Sequence, residues 1–130
     1  IAESMRLFSP AWTMGRRAIE PHTIGGFTIE KDSLVLMSQW VVHRDPRWWD
    51  DPQSFKPERW LTPGSRPKYS YFPFGGGNRV CIGESFAWTE AILLLAAIAQ
   101  NWQFSGISAP HAEPRITLRP AGLRMRLSRR

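Results

Sequence analysis

The sequence predicts a mainly helical chain with small β-sheets, an α+β architecture. Three observations point there. Ile82–Asn101 is one long helical signal, apolar on most faces from Phe86 to Ala99. Strand signals broken by a Gly-Gly pair fill Arg17–Ser38. Between them, Asp45–Pro67 is too rich in proline for regular elements. At 130 residues the chain fits one domain or a piece of one. With 42% apolar and 22% charged residues it belongs with globular rather than disordered sequences.

Each element has its own signal. Ile1–Phe8 reads as the end of a helix, stopped by Ser9-Pro10. The chain reads as if it starts inside that helix: Ile1-Ala2-Glu3 has no initiator Met, basic region or apolar region of a signal peptide. Thr23-Ile24, Gly25-Gly26 and Phe27-Thr28-Ile29 form a hairpin pattern, followed by a strand at Leu34–Met37. Gln39–His43 suits one short helical turn. The next stretch carries Pro46, Pro52, Pro57, Pro63 and Pro67, with Trp48, Trp49 and Trp60 to bury. That composition predicts an ordered meander packed by its own side chains. Tyr69–Val80 is an aromatic, glycine-rich loop leading into the long helix. Short strands are expected at Trp102–Phe104, Ile116–Arg119 and Leu123–Leu127. The long helix should be buried on several sides, yet the chain offers only one other partial helix to cover it. It therefore reads as a single partial domain, residues 1–130, whose missing portion covers that helix.

Charge and cysteine content exclude several classes. The net charge is +6, concentrated between Ala112 and Arg130, where six arginines face one acid, Glu113. Leu118, Leu123, Met125 and Leu127 interleave with them at strand spacing, which marks a solvated strand face. No nucleic-acid motif accompanies the charge, so no nucleic-acid partner is expected. One cysteine, Cys81, rules out an internal disulfide and any all-cysteine zinc or iron–sulfur site within the chain. Ala91–Ala99, the longest strongly apolar run, is too short to span a bilayer.

The chemistry concentrates in Phe74-Gly75-Gly76-Gly77-Asn78-Arg79-Val80-Cys81-Ile82-Gly83. Three consecutive glycines permit positive φ and close approach of the backbone to another group. Cys81 follows, at the start of the long helix, where N–H groups and the positive helix end favour thiolate over thiol. Arg79 adds a cation. The physical reading is a stabilised thiolate in a loop built for a large flat or anionic group.

This segment resembles the cysteine-ligand loop of cytochrome P450 enzymes, the haem-thiolate monooxygenases. The family pattern is Phe, two residues, Gly, one residue, Arg, one residue, Cys, one residue, Gly. Phe74, Gly77, Arg79, Cys81 and Gly83 meet it. Glu3-Ser4-Met5-Arg6 looks like the family's Glu-x-x-Arg helix, and Pro57-Glu58-Arg59-Trp60 is similar to its Pro-Glu-Arg-Phe motif with Trp in place of Phe. The resemblance covers essentially the whole chain and roughly the C-terminal third of a family domain. The expected order is therefore helix end, small hairpin sheet, meander, cysteine-ligand loop, long buried helix and C-terminal strands.

The resemblance implies haem b, iron protoporphyrin IX, as cofactor with Cys81 as its axial iron ligand. It implies that Arg79 and Arg16, rather than Arg17, bind haem propionates. Phe74 would shield the sulfur, Gly77 would shape the loop, and Gly83 would let the long helix start close under the haem. Glu3, Arg6 and Arg59 would form a Glu–Arg–Arg cluster pinning the meander to the first helix. His43, in His-Arg-Asp-Pro, would be structural rather than a metal ligand. Ala11, Trp12, Thr13, Ile116 and Thr117 would line a substrate pocket. Asp32 stands where the family often has Gly, so the turn there could differ.

The implied reaction inserts one oxygen atom of O₂ into an apolar small molecule. Electrons would come from a ferredoxin or flavoprotein, in a cytoplasmic, bacterial-type protein. The helix that delivers protons to bound oxygen has no counterpart here, so the isolated chain is expected to be inactive. Two rival readings stand beside it: a non-catalytic haem-binding module, and an enzyme using Cys81 as nucleophile. The latter needs a positioned base, and His22, His43 and His111 lack any thiol-enzyme signature.

Overall fold

The computed structural model describes residues 1–62, 64 and 66–130. Pro63, counted among the prolines of the meander, lies outside the described residues. Helix α1 spans Ala2–Leu7, with Glu3 in its first turn and Arg6 in its last, the charge order that complements a helix dipole. The chain leaves it at Phe8, whose N–H donates to Ser4 O at 2.7 Å, before Pro10 prevents continuation.

Strands β1 (Met14–Arg17) and β4 (Leu34–Met37) pair antiparallel, Met14 opposite Met37 and Arg17 opposite Leu34. Between them β2 (His22–Ile24) and β3 (Phe27–Ile29) form the expected hairpin. Its two turn residues, Gly25 and Gly26, sit at φ 56° and 84°. Both central residues of a type I′ turn need positive φ, which glycine adopts without steric cost. Asp32, where a different turn was anticipated, takes a left-handed φ of 69°. The substitution keeps a turn that glycine favours, and Arg17 Nε lies 3.4 Å from its carboxylate.

Helix α2 is one turn, Gln39–Val42, capped by Ser38 Oγ, which accepts from the Val41 N–H at 3.4 Å. The meander that follows contains one short 3-10 turn at Pro57–Trp60. A second 3-10 turn at Gly77–Arg79 lies inside the glycine-rich loop.

Helix α3 runs Glu84–Asn101, two residues later than the Ile82 start the sequence suggested. Ile82 and Gly83 form a turn instead, closed by Glu84 N–H donating to Cys81 O at 3.3 Å. The expectation of a buried helix is corrected within this chain: no residue of α3 is buried. Phe86 is 70% exposed and Leu93 64%. The physical reason is a shortage of partners. Phe74, with its ring 6.0 Å from Trp88, and strand β5 (Trp102–Gly106) meet the helix, leaving most of its apolar surface bare.

The C-terminal strands form two further antiparallel pairs. β5 pairs with β8 (Met125–Arg129), and β6 (His111–Pro114) pairs with β7 (Leu118–Ala121). The expected strand at Ile116–Arg119 is shifted: Ile116 and Thr117 lie in the turn between β6 and β7. Strand β8 likewise starts at Met125 rather than Leu123.

Candidate functional site

The interior of this chain is largely polar. Among the described residues, Leu7 and Trp49 are the buried large apolar side chains, whereas Glu3, Arg6, Ser9, Gln39, His43 and Ser70 are buried polar ones. Buried charge is costly unless paired and fully hydrogen-bonded, and the network around Arg6 meets that condition. A guanidinium has five N–H donors. Arg6 Nε and one terminal nitrogen donate to the two Glu3 oxygens at 2.9 and 2.8 Å. Its remaining bonds reach main-chain carbonyls: His43 at 2.7 Å, Pro52 at 2.7 Å and Ser54 at 3.1 Å.

Glu3 is as fully engaged. Besides Arg6, its carboxylate accepts from the Lys56 N–H at 2.9 Å, Arg59 Nε at 3.1 Å and Trp60 Nε1 at 2.9 Å. Burial by itself pushes the carboxyl pKa up. The hydrogen bonds from Arg6, Lys56 and Trp60, with the Arg6 charge, outweigh it and hold the group at about 2. The structure thus brings Glu3, Arg6 and Arg59 together. Trp60 joins them through its indole N–H, a partner the sequence hinted at only by placing Trp where Phe was expected. Trp49 lies under Arg6, its ring centroid 5.0 Å from the guanidinium carbon.

His43 connects this node to the cysteine loop. Its ring is fully buried, and Nε2 accepts from the Phe72 N–H at 2.9 Å. Nε2 therefore lacks a proton and the neutral ring carries it on Nδ1. Burial, reinforced by the Arg6 and Arg44 charges, pushes its pKa down to about 4. No cluster of three or more potential metal ligands from His, Cys, Asp and Glu occurs among the described residues.

From Phe72 the chain passes through Pro73 to the loop. Ser9 Oγ donates to Pro73 O at 3.4 Å, and the Cys81 N–H donates to Phe74 O at 2.9 Å, closing the loop. Gly75 and Gly77 hold φ of 79° and 66°, conformations in which a side chain would strain the backbone. Gly83 has an ordinary backbone, and a Cβ there would stand 3.8 Å from Cys81 Sγ. Its absence leaves open space beside the sulfur.

Cys81 is exposed and faces a hollow of about 270 Å³. The wall brings together Ala11, Arg16, Phe74, Arg79 and Cys81, with Gln39 behind them. Arg17, on the opposite side of β1, turns to Asp32 instead. Trp12, Thr13, Ile116 and Thr117 are not part of this wall. Trp12 Nε1 donates to Arg115 O at 2.9 Å and Thr13 Oγ1 to Met37 O at 3.2 Å, so both tie neighbouring elements together. Ile116 is fully exposed beside that tie. Gln39 was missed in the sequence, where nothing distinguishes it from any polar residue at a strand–helix junction.

An accessible thiol, two guanidiniums and an apolar wall of Ala11, Met14 and Phe74 around one hollow suit a large flat group with anionic edges and a thiophilic metal. The fold and the loop together shape one side of this hollow. The family model that matches the chain, over residues 1–125, is "Cytochrome P450", and the chain belongs to the cytochrome P450 family of haem monooxygenases.

Individual relatives agree with the family model. Cyclooctatin synthase of Streptomyces melanosporofaciens is 44% identical over 128 residues, 95% of this chain and 28% of its own length. A cytochrome P450 of Mycobacterium tuberculosis is 42% identical over 123 residues, 92% of this chain and 27% of its own length. The crystal structure of the cytochrome P450DA heme domain matches 99% of this chain with TM-score 0.89 and 31% identity, using 30% of that domain. Cyanobacterial CYP120A1, solved with retinoic acid bound, matches 98% with TM-score 0.88 and 31% identity, using 31% of its chain. The chain thus spans under a third of the proteins it resembles. Among the described residues, no helix is long and apolar enough to cross a membrane.

Proposed function

We propose that this chain is the thiolate-bearing, C-terminal portion of a cytochrome P450 monooxygenase domain. The single observation carrying the reading is the hollow that gathers Cys81, Arg79 and Arg16 in a chain of this family. Cys81 would hold the iron of a haem b through its thiolate, and the haem would supply oxygen activation when bound. Arg16 and Arg79 would hold its propionates by charge-assisted hydrogen bonds. Phe74, packed on Trp88, keeps water off the sulfur. The Glu3–Arg6–Arg59 node, acting through His43 and Phe72, fixes the root of the loop and hence the direction in which the sulfur points.

The substrate is an apolar small molecule, met by Ala11 and by the turn carrying Ile116 and Thr117. An acidic ferredoxin or flavoprotein donates electrons at the basic face near Arg79, and the protein works in the cytoplasm. The chain alone does not turn over substrate, because proton delivery and most of the substrate pocket belong to other parts of the domain.

The test is a reduced, carbon-monoxide difference spectrum of the full-length haem protein, wild type against Cys81→Ser. A strongly red-shifted Soret band, lost in the variant, is the expected result. A wild-type protein that binds haem without that band, or a band that survives in Cys81→Ser, overturns the ligand assignment.

A further inference from the structure

An indole carries one hydrogen-bond donor and no acceptor. Half-buried Trp12 commits its donor to a residue far along the chain: Nε1 donates to the Arg115 carbonyl at 2.9 Å. Alongside, the Leu118 N–H donates to Pro10 O, also at 2.9 Å. These two bonds straddle Ala11 on one segment and Ile116 and Thr117 on the other. Ala11 stands on the wall of the Cys81 hollow. The turn carrying Ile116 is thereby held beside that wall, with the Ile116 side chain fully exposed. Turns of this kind usually present polar residues.

Among the described residues, the turn's own polar side chains bond within their hairpin. Arg115 pairs with Glu113 at 2.8 Å, and Arg119 Nε donates to Thr117 Oγ1 at 3.4 Å. Both contacts shape the β6–β7 hairpin without fixing where it stands. A hollow of about 370 Å³ separates Ser4 and Phe8 from His111, Leu118 and Pro120, so the hairpin stands off the end of α1. Trp12, in contrast, is anchored from behind. Its carbonyl accepts from Ser38 Oγ at 3.1 Å and from the Trp40 N–H at 3.2 Å. The residue works as a strut, fixed to α2 at its backbone and holding the turn at its ring.

We infer that Trp12 is a positioning residue for substrate selection. Its indole N–H, acting through the Arg115 carbonyl, sets the gap between Ala11 and Ile116 and with it the size of apolar group accepted there. The inference rests on the haem-thiolate reading above. The bond is made to a main-chain oxygen, so the donor on Trp12 matters and the side chain at position 115 does not. Ile116 supplies the apolar contact and Trp12 supplies its placement.

The experiment uses the full-length haem protein, with wild type, Trp12→Phe, Ile116→Ala and the double variant. Two probes are titrated by their Soret shift: imidazole, which is too small to reach the turn, and 4-phenylimidazole, which carries an apolar ring. Trp12→Phe keeps an aromatic ring but has no N–H. It should bind imidazole as wild type does, bind 4-phenylimidazole about tenfold more weakly, and keep the carbon-monoxide Soret position. Ile116→Ala should weaken 4-phenylimidazole similarly, and the double variant should be no weaker than either single one, because the two residues act as one unit. Wild-type affinity for 4-phenylimidazole in Trp12→Phe overturns the inference, as do fully additive losses in the double variant or equal weakening of both probes. Failure of Trp12→Phe to load haem overturns it too, since the indole would then serve the fold rather than the choice of substrate. Each of these results leaves the Cys81 assignment standing. Absence of the thiolate Soret band in the wild-type carbon-monoxide complex removes the haem-thiolate reading and this inference together.

Discussion

The meander node and helix α3 are built on opposite principles. Around Arg6, buried side chains are mostly polar, every donor of the guanidinium is used, and the chain supplies all the partners itself. Helix α3 is the longest element and largely apolar, and no residue of it is buried within this chain. The Arg6–Glu3 pair is fully hydrogen-bonded, with His43 Nδ1 and the Gln39 amide the unpartnered groups beside it among the described residues; the other region is an open apolar face. A helix of this composition gains stability chiefly from packing rather than propensity. The lesson is that hydrophobic content does not locate the self-sufficient part of this chain. Hydrogen-bond completeness does.

The sharpest way to break that contrast is Arg6→Leu. It leaves Glu3 buried without its main partner, a change that typically costs about 3–5 kcal/mol. In the full-length protein we expect loss of haem incorporation and rapid proteolysis within residues 44–60. Wild-type yield and protease resistance would show that the node is dispensable.

Helix α3 gives the complementary experiment. Leu94→Ala should cost about 2–5 kcal/mol in urea unfolding of the full-length protein if the remainder of the domain covers it. In the isolated chain Leu94 is 56% exposed. There the substitution should leave circular dichroism unchanged and slightly reduce binding of a hydrophobic dye. Equal effects in both contexts would mean that nothing further packs on this helix.

Acid should dissolve the node in a defined order. The unfolded His43 takes up a proton near 6.5, but the folded one does so only near 4. Its depressed pKa means that the stability it confers is present above 6.5 and is lost as pH falls toward 4, by about 3 kcal/mol. The Glu3 contribution is present above 4.5 and is lost between there and about 2. Urea midpoints should therefore drop first between pH 6.5 and 4, and His43→Gln should flatten that segment alone. The smallest effect belongs to Trp60→Phe. It removes one of five hydrogen bonds to Glu3 and should lower stability by about 1–2 kcal/mol, read as a shifted urea midpoint.

These regions also differ in how legible they were. The β2–β3 hairpin announces itself through Gly25-Gly26, and the cysteine loop through its residue spacing. The pairings of β1 with β4 and of β5 with β8 join distant segments, and Met14–Arg17 has no apolar alternation to mark it as a strand. Strand β6, His111–Pro114, hides for the same reason and because it ends in proline. The family motifs pointed to Glu3, Arg6 and Arg59, whereas Gln39 carries no motif, and its burial comes only from what surrounds it in space. Helix α3 was legible as an apolar helix short of partners, because apolar composition reports what a segment needs and the rest of the sequence shows how little this chain supplies.

Arg6 holds the meander by three carbonyl oxygens, those of His43, Pro52 and Ser54. Carbonyls are common to every amino acid, so this grip is indifferent to side-chain identity. Exposed residues between His43 and Ser54 can change freely, provided the spacing that brings the three oxygens to one guanidinium is kept. A one-residue deletion in that interval should therefore do more harm than replacement of several of its exposed side chains.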